Sequence, residues 1–408
     1  MTSRTIPNNR ITTRKGIANI ATGTARSFLW GWNSARVSVG VLLFGAASHA
    51  AILQTEHWAL LGAAEAGVGY DSNLFAHNGS DGDGYGLLEP SFTIQRLNSL
   101  TNLKVDLSVK SYTYFTKTNL NSLDPLLKIR LRYPFDEEIE ATQEFSGYAT
   151  RRTEANAIVG TRLRSDNYDV HWEGTFNPTG KLTLLTRTDA QRTDYLTAGF
   201  NTNDTASAGV TLDFLSNERL QLGTGYDFIS SHSRPDLADV PETKSKQHRY
   251  TLRGQGEFLP KVTGSFFVGA GHTAYSGGLT QSAWDFVAGS SLSWQATERA
   301  QVTFTADRST NFSPGGAAFT QAGVALEWTQ QIAGGFTATL GADAANIAFR
   351  FESNSEHYKQ YGGHFLLKYA LTERLTASLR TSYTKQNSNQ HYAQYDRAIV
   401  YASISTKF

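Results

Sequence analysis

Residues Leu103-Lys-Val-Asp-Leu-Ser-Val-Lys-Ser-Tyr-Thr-Tyr-Phe115 decide the fold. Leu103, Val105, Leu107 and Val109 fall on one face of the segment, and Lys104, Asp106, Ser108 and Lys110 on the other. Strict period two marks a β-strand with one apolar and one polar side. The same pattern sets Leu127, Ile129, Leu131 and Tyr133 against Lys128, Arg130 and Arg132, and Tyr250, Leu252 and Phe258 against Arg249, Arg253 and Glu257. A soluble sandwich would alternate too, but its strands usually run about 5 to 6 residues. These segments run about twice that. At about 3.3 Å per residue and a tilt near 40°, a dozen residues rise roughly 30 Å, enough to cross an outer-membrane apolar band of about 25 Å.

Composition points the same way. Over 408 residues only 18% are charged, while aromatics reach 12% and glycine contributes 36 residues. A soluble chain of this size usually carries roughly 25% charge. With 9 prolines and no low-complexity tract, the chain is neither disordered nor collagen-like. Its mean hydropathy of −0.35 excludes a bundle of spanning helices. Zero cysteines exclude disulfides, thiolate metal sites and thiol nucleophiles together.

Tight and long connections alternate. Short turns fall at Asn177-Pro-Thr-Gly180, Ser216-Asn-Glu-Arg219, Leu259-Pro-Lys261, Ala296-Thr-Glu-Arg299, Gln331-Ile-Ala-Gly-Gly335 and Leu371-Thr-Glu-Arg374. Between them lie longer polar loops such as 231–247, 310–318, 350–360 and 386–394. Counting back from Phe408 predicts about eighteen strands in a closed antiparallel barrel, with short turns on the periplasmic side and long loops outside. Residues 152–166 fit no single strand cleanly. The terminal Tyr395–Phe408 strand must meet the first strand, because an open edge in lipid leaves backbone groups unpaired. Its aromatic end, Phe408, matches the C-terminal signal of barrel assembly.

The first 50 residues are expected to be a signal peptide. Arg4, Arg10, Arg14, Lys15, Arg26 and Arg36 precede a short apolar stretch, Val37 to Ala47, and Ser48-His49-Ala50 offers small residues for cleavage. Residues 51–408 then form the barrel. Losing this basic leader turns a formal net charge of +1 into about −5, which leaves no basic surface for nucleic acid.

Charges that would face lipid are costly, so they are assigned to the lumen: Lys104, Asp106, Lys110, Lys128, Arg130, Arg132, Glu140, Glu144, Asp169, Glu173, Asp213, Asp227, Arg249, Arg253, Asp285, Asp307, Asp343 and Lys368. Candidate substrate-guiding residues are Lys104, Lys110, Tyr112, Tyr114, Lys128, Arg130, Arg132, Arg249 and Arg253. Most remaining Tyr and Trp residues, including Tyr148, Tyr168, Trp172, Trp284, Trp294 and Trp328, read as interfacial girdles. No catalytic, metal or cofactor constellation stands out. His171 and Glu173 share a face, but no nucleophile accompanies them.

The opening Gly67-Val-Gly-Tyr-Asp-Ser-Asn-Leu-Phe75, the repeated Thr-Glu-Arg turns and the closing Phe408 resemble the putative beta-barrel porin 2 family. Members are often found with exopolysaccharide or capsule systems. The resemblance implies an outer-membrane barrel of about eighteen strands and a role in moving secreted polysaccharide. It supplies no catalytic residue. Asp71-Ser72-Asn73 is expected to turn the chain out of the first strand.

The expected function is a cofactor-free outer-membrane channel, a conduit for export of an extracellular polysaccharide. Alternatives are a general or sugar-selective diffusion porin, and a plugged barrel whose loops bind surface partners. Expected partners are outer-membrane lipid, the barrel assembly machinery, polysaccharide and periplasmic export components.

Overall fold

A computed structural model describes residues 52–408, except 80, 97–100, 135–140, 157–160, 237–241, 277–281, 314–316 and 350–355. The expected leader and Glu140 lie outside the described residues. A short strand β1 (Leu53–Gln54) precedes eighteen long ones. These are β2 (Trp58–Asp71), β3 (Asp83–Arg96), β4 (Asn102–Tyr114), β5 (Ser122–Tyr133), β6 (Ala141–Asn156), β7 (Thr161–Thr179), β8 (Leu182–Tyr195), β9 (Thr202–Asn217) and β10 (Leu220–Arg234). The series continues with β11 (Thr243–Leu259), β12 (Val262–Ser276), β13 (Ala283–Thr297), β14 (Ala300–Phe312), β15 (Ala318–Ile332), β16 (Phe336–Phe349), β17 (His357–Ala370), β18 (Leu375–Ser388) and β19 (Tyr395–Lys407).

Each long strand pairs antiparallel with its neighbours in sequence, and β19 pairs with β2, so the sheet closes. Stepping from partner to partner around the ring returns to β2 displaced by about 22 residues toward its C-terminal end, a shear that for eighteen strands corresponds to a tilt near 40° and a backbone diameter of about 36 Å. The strands end later than the polar loops suggested, because hairpin pairing continues into polar sequence. Thus β10 runs to Arg234 and β11 begins at Thr243. The ambiguous 152–166 stretch divides between two long strands, β6 and β7, which pair from Ala141↔Phe176 to Asn156↔Thr161.

Apolar residues of period two cover the outer surface. Leu107, Val170, Leu252, Phe286, Leu340 and Ile404 are all exposed there. Trp58, Trp294, Trp328 and Tyr133 lie toward the short-turn end, and Tyr70, Tyr168, Trp284 and Tyr383 toward the other, forming two aromatic girdles. The short turns are built by side chains. The Asn217 carboxamide oxygen accepts from the Arg219 and Leu220 amides, and the Thr372 hydroxyl accepts from those of Arg374 and Leu375. Register shifts beside the turns at Phe176/Thr179, Leu220/Gln221, Glu257/Leu259 and Gln295/Thr297 tighten that end. Asn217→Ala removes the side-chain acceptor from one exposed turn. It should cost about 1 kcal/mol, read as a small drop in urea midpoint of the refolded barrel.

The closing seam joins residues far apart in sequence. Phe408 donates its amide to the Gly62 carbonyl at 2.8 Å, and Gly62 returns a bond at 3.3 Å. Beyond Phe408, β1 takes over the same edge of β2, with Leu53↔Leu60 and Gln54↔Ala59.

Candidate functional site: the lumen

At the long-loop end, the 67–75 segment does more than turn the chain. Asp71 accepts from the Arg397 guanidinium at 2.5 and 3.0 Å, and the Ser72 hydroxyl accepts from the Ala398 amide at 2.8 Å. Asn73 Nδ2 donates to the carbonyls of His77, Gly79 and Asp396. Leu74, fully buried, packs among lumen-facing Tyr85, Tyr114 and Tyr401, with Leu120 from the next loop partly buried against them. Lys117 Nζ lies 2.7 Å from Asp81, and this bond holds the Asp81 carboxyl below its ordinary range. The motif therefore latches β2 to β19 and folds its loop into the mouth. On the other side, Asn203 of β9 donates to the Ser313 carbonyl, so Ser313, just past β14, also reaches inward.

Below these loops lies a polar cavity of about 650 Å³ whose walls come from β3 to β15. Lys110, Tyr112, Lys128, Arg130, Arg249 and Arg253 line it. Lys104 and Arg132 share the lumen face but sit nearer the periplasmic end, and Tyr114 is buried in the tyrosine cluster above. The basic residues of β4 and β5 are interleaved with acids. Lys104 lies 3.2 Å from Asp106, Lys110 3.3 Å from Glu89, and Arg130 3.4 Å from Glu144. Phe408 sits at the seam, far from the cavity.

Arg249 and Arg253 belong to a second network. Asp227 accepts from Arg187 at 2.5 Å through one oxygen and from Arg249 at 2.9 Å through the other. Arg253 lies 3.6 Å from Asp213. Such clamped carboxylates lie flat on the wall because glycine stands opposite: a β-carbon at Gly209 would meet the Asp227 oxygen, and one at Gly223 that of Asp213. Beside them, His171 Nδ1 and Asp189 are 2.5 Å apart, and Ser207 donates to the second Asp189 oxygen at 2.9 Å.

The charge is distributed across the lumen rather than along it. Lumen positions of β4 to β6 carry Lys104, Lys110, Lys128, Arg130, Arg132 and Arg152 against Asp106, Asp124, Glu144 and Glu154. Roughly half a turn away, those of β13 to β16 carry Asp285, Asp307, Glu327 and Asp343 and, among the described residues, no Lys or Arg. Lys128 and Asp307 line the same cavity. Sequence reading missed Arg187 and Arg152, and placed Tyr148 with the interfacial rings. Tyr148 in fact pairs with Lys128 and Asp169 on the lumen face. Strict parity along each strand would have found all three.

A closed antiparallel barrel with a lipid-compatible exterior and a charged, hydrated interior defines an outer-membrane β-barrel of the porin and transporter kind. Residues 245–408 match the model of the family described as "Putative beta-barrel porin 2". That agrees with the resemblance carried by the opening motif, the turns and Phe408. No curated protein matches the chain. Similar solved structures include the FrpB iron transporter of Neisseria meningitidis (F3-3 variant), at 11% identity and TM-score 0.48, covering 82% of this chain and 62% of that one. The chain thus spans less than two thirds of that protein. OpdQ of Pseudomonas aeruginosa matches at 9% identity and TM-score 0.48, covering 86% and 97%. The siderophore receptor PirA of the same organism matches at 10% identity and TM-score 0.43, covering 85% and 80%.

Proposed function

We propose that this outer-membrane barrel conducts a polyhydroxylated solute, an extracellular polysaccharide on its way out of the cell. The observation that carries the reading is the lining of the cavity between its ion pairs: Ser108, Thr150, Gln191, Ser231, Gln247 and Thr273 present hydroxyls and carboxamides on the lumen face. Such groups donate and accept equally. A sugar hydroxyl moving past them exchanges one neutral hydrogen bond for another, at a net change of about 1 kcal/mol or less per contact. The acids and bases are tied mainly to each other, so they shape a field without trapping a neutral chain. No energy source is needed within the barrel, because synthesis or periplasmic partners can drive export. The resemblance to a family found with exopolysaccharide systems adds to this reading.

Deletion tests it. Loss of surface polysaccharide with unchanged uptake of small sugars is expected. Retained polysaccharide with impaired uptake would favour the second reading, an inward diffusion porin, which the same hydroxyl-rich lining also suits. Absence of current from heat-modifiable, folded protein in a planar bilayer would rule out both.

A further inference from the structure

The outer wall carries a trough of its own. It has a volume of about 450 Å³ and crosses five strands, β3 to β7, on the face opposite the lumen. Its floor is a row of small side chains, with Pro90 and Pro125 flanking Val109, and Ala149 further along. Phe92, Leu107, Leu127 and Tyr168 rise beside the floor. The ladder between β3 and β4 runs through Leu88↔Ser111 and resumes at Ser91↔Ser108, leaving Glu89 and Pro90 outside the backbone pairing. Proline lacks the N–H a ladder needs, and its short ring leaves the depression.

Direction follows from the shear. A row perpendicular to the strands climbs toward the long-loop end by about 3 Å per strand, so the trough rises from β3 near the middle of the wall to β7 near the outer girdle. Four strand spacings give it a length of roughly 19 Å. At the upper end Arg151 holds Asp166 through two bonds, 2.7 and 2.8 Å. Arg192 lies opposite Tyr168, and Arg164 is exposed one step above Asp166. Asp194, opposite Asp166, and Asp204, bonded by Arg234 and 3.9 Å from Arg192, complete the group. Four arginines face three aspartates at the level where headgroups begin.

We infer that this trough is a lipid site: an acyl chain of an outer-leaflet lipid lies along Pro90, Val109, Pro125 and Ala149, and its phosphate headgroup sits on Arg151 and Arg192. Burying the chain alone confers little, because surrounding lipid is as apolar as the trough. The affinity comes from the charge-assisted bonds of guanidinium to phosphate, and the trough fixes where the head lands. The site is independent of what passes through the lumen.

Native mass spectrometry of the folded, full-length protein in mild detergent tests it, with bisphosphorylated lipid A and its dephosphorylated form as probes. The wild type should retain one phosphorylated molecule and bind the dephosphorylated form at least tenfold more weakly. Arg151→Gln with Arg192→Gln, which removes the head contacts, and Val109→Trp, which fills the trough, should each lower retention at least tenfold. Heat-modifiable mobility and an unchanged single-channel conductance show that each variant is folded. Equal retention of the two lipid forms, or wild-type retention in both folded variants, would overturn the inference.

Discussion

A channel carrying Lys128→Glu and Arg130→Glu becomes cation-selective. Both side chains stand on the lumen face of β5, and together with the acids of β13 to β16 they set the potential across the cavity. Reversing two charges leaves both walls negative, and a pore lined by one sign concentrates the opposite ion. The cation-to-anion permeability ratio should rise about threefold or more at low ionic strength. It should fade toward 1 M salt, where the Debye length shrinks to about 3 Å. Arg130 is half exposed, so the fold should survive its loss. Asp307→Asn, on the acidic wall, should shift selectivity the opposite way. A ratio unchanged in both variants at low salt would mean that ions do not pass between these walls.

Arg397→Gln should produce the largest loss of stability. The Asp71 side chain is only 4% exposed and its charge is met by the Arg397 guanidinium. Removing one partner of a buried pair strands the other and costs about 3 to 5 kcal/mol. Here the loss falls on the seam that closes the barrel. The folded form should lose its heat resistance on a gel at a lower temperature. Because Asn73 and Leu74 hang from the same latch, the mouth loop should also loosen and single-channel current become noisier. Asp71→Asn with Arg397→Gln removes both charges and should recover part of the stability. A single variant as heat-resistant as wild type would show that the pair does not hold the seam.

The antiparallel strand order, the barrel closure and the terminal strand from Tyr395 were legible because each depends on local signals: period two, turn chemistry and strand length. Which face a charge takes was equally legible, since it is set by parity within one strand. What each charge meets was not. Arg187 reaches past Gly209 to Asp227, two strands away, and only the register between three strands, together with a glycine that clears the path, makes that contact. The same limit hid the true role of Asp71. Its partner lies 326 residues away, so a local reading sees a turn where the fold has a latch. The inward loops were beyond reach for a similar reason: Leu74 looks like any loop leucine until three strands, β3, β4 and β19, bring three tyrosines around it.

The joint between β2 and β19 has a consequence for biogenesis. The first long strand, β2, waits for β19, with β1 covering only its lower edge until then. Assembly therefore cannot proceed vectorially to completion as the chain is delivered. A polypeptide cut short anywhere before Tyr395 presents an unsatisfied edge on β2 from Ala63 to Asp71, at prohibitive expense in hydrocarbon. Completion is thus self-reporting: only once β19 is in place is every backbone edge of the ring paired.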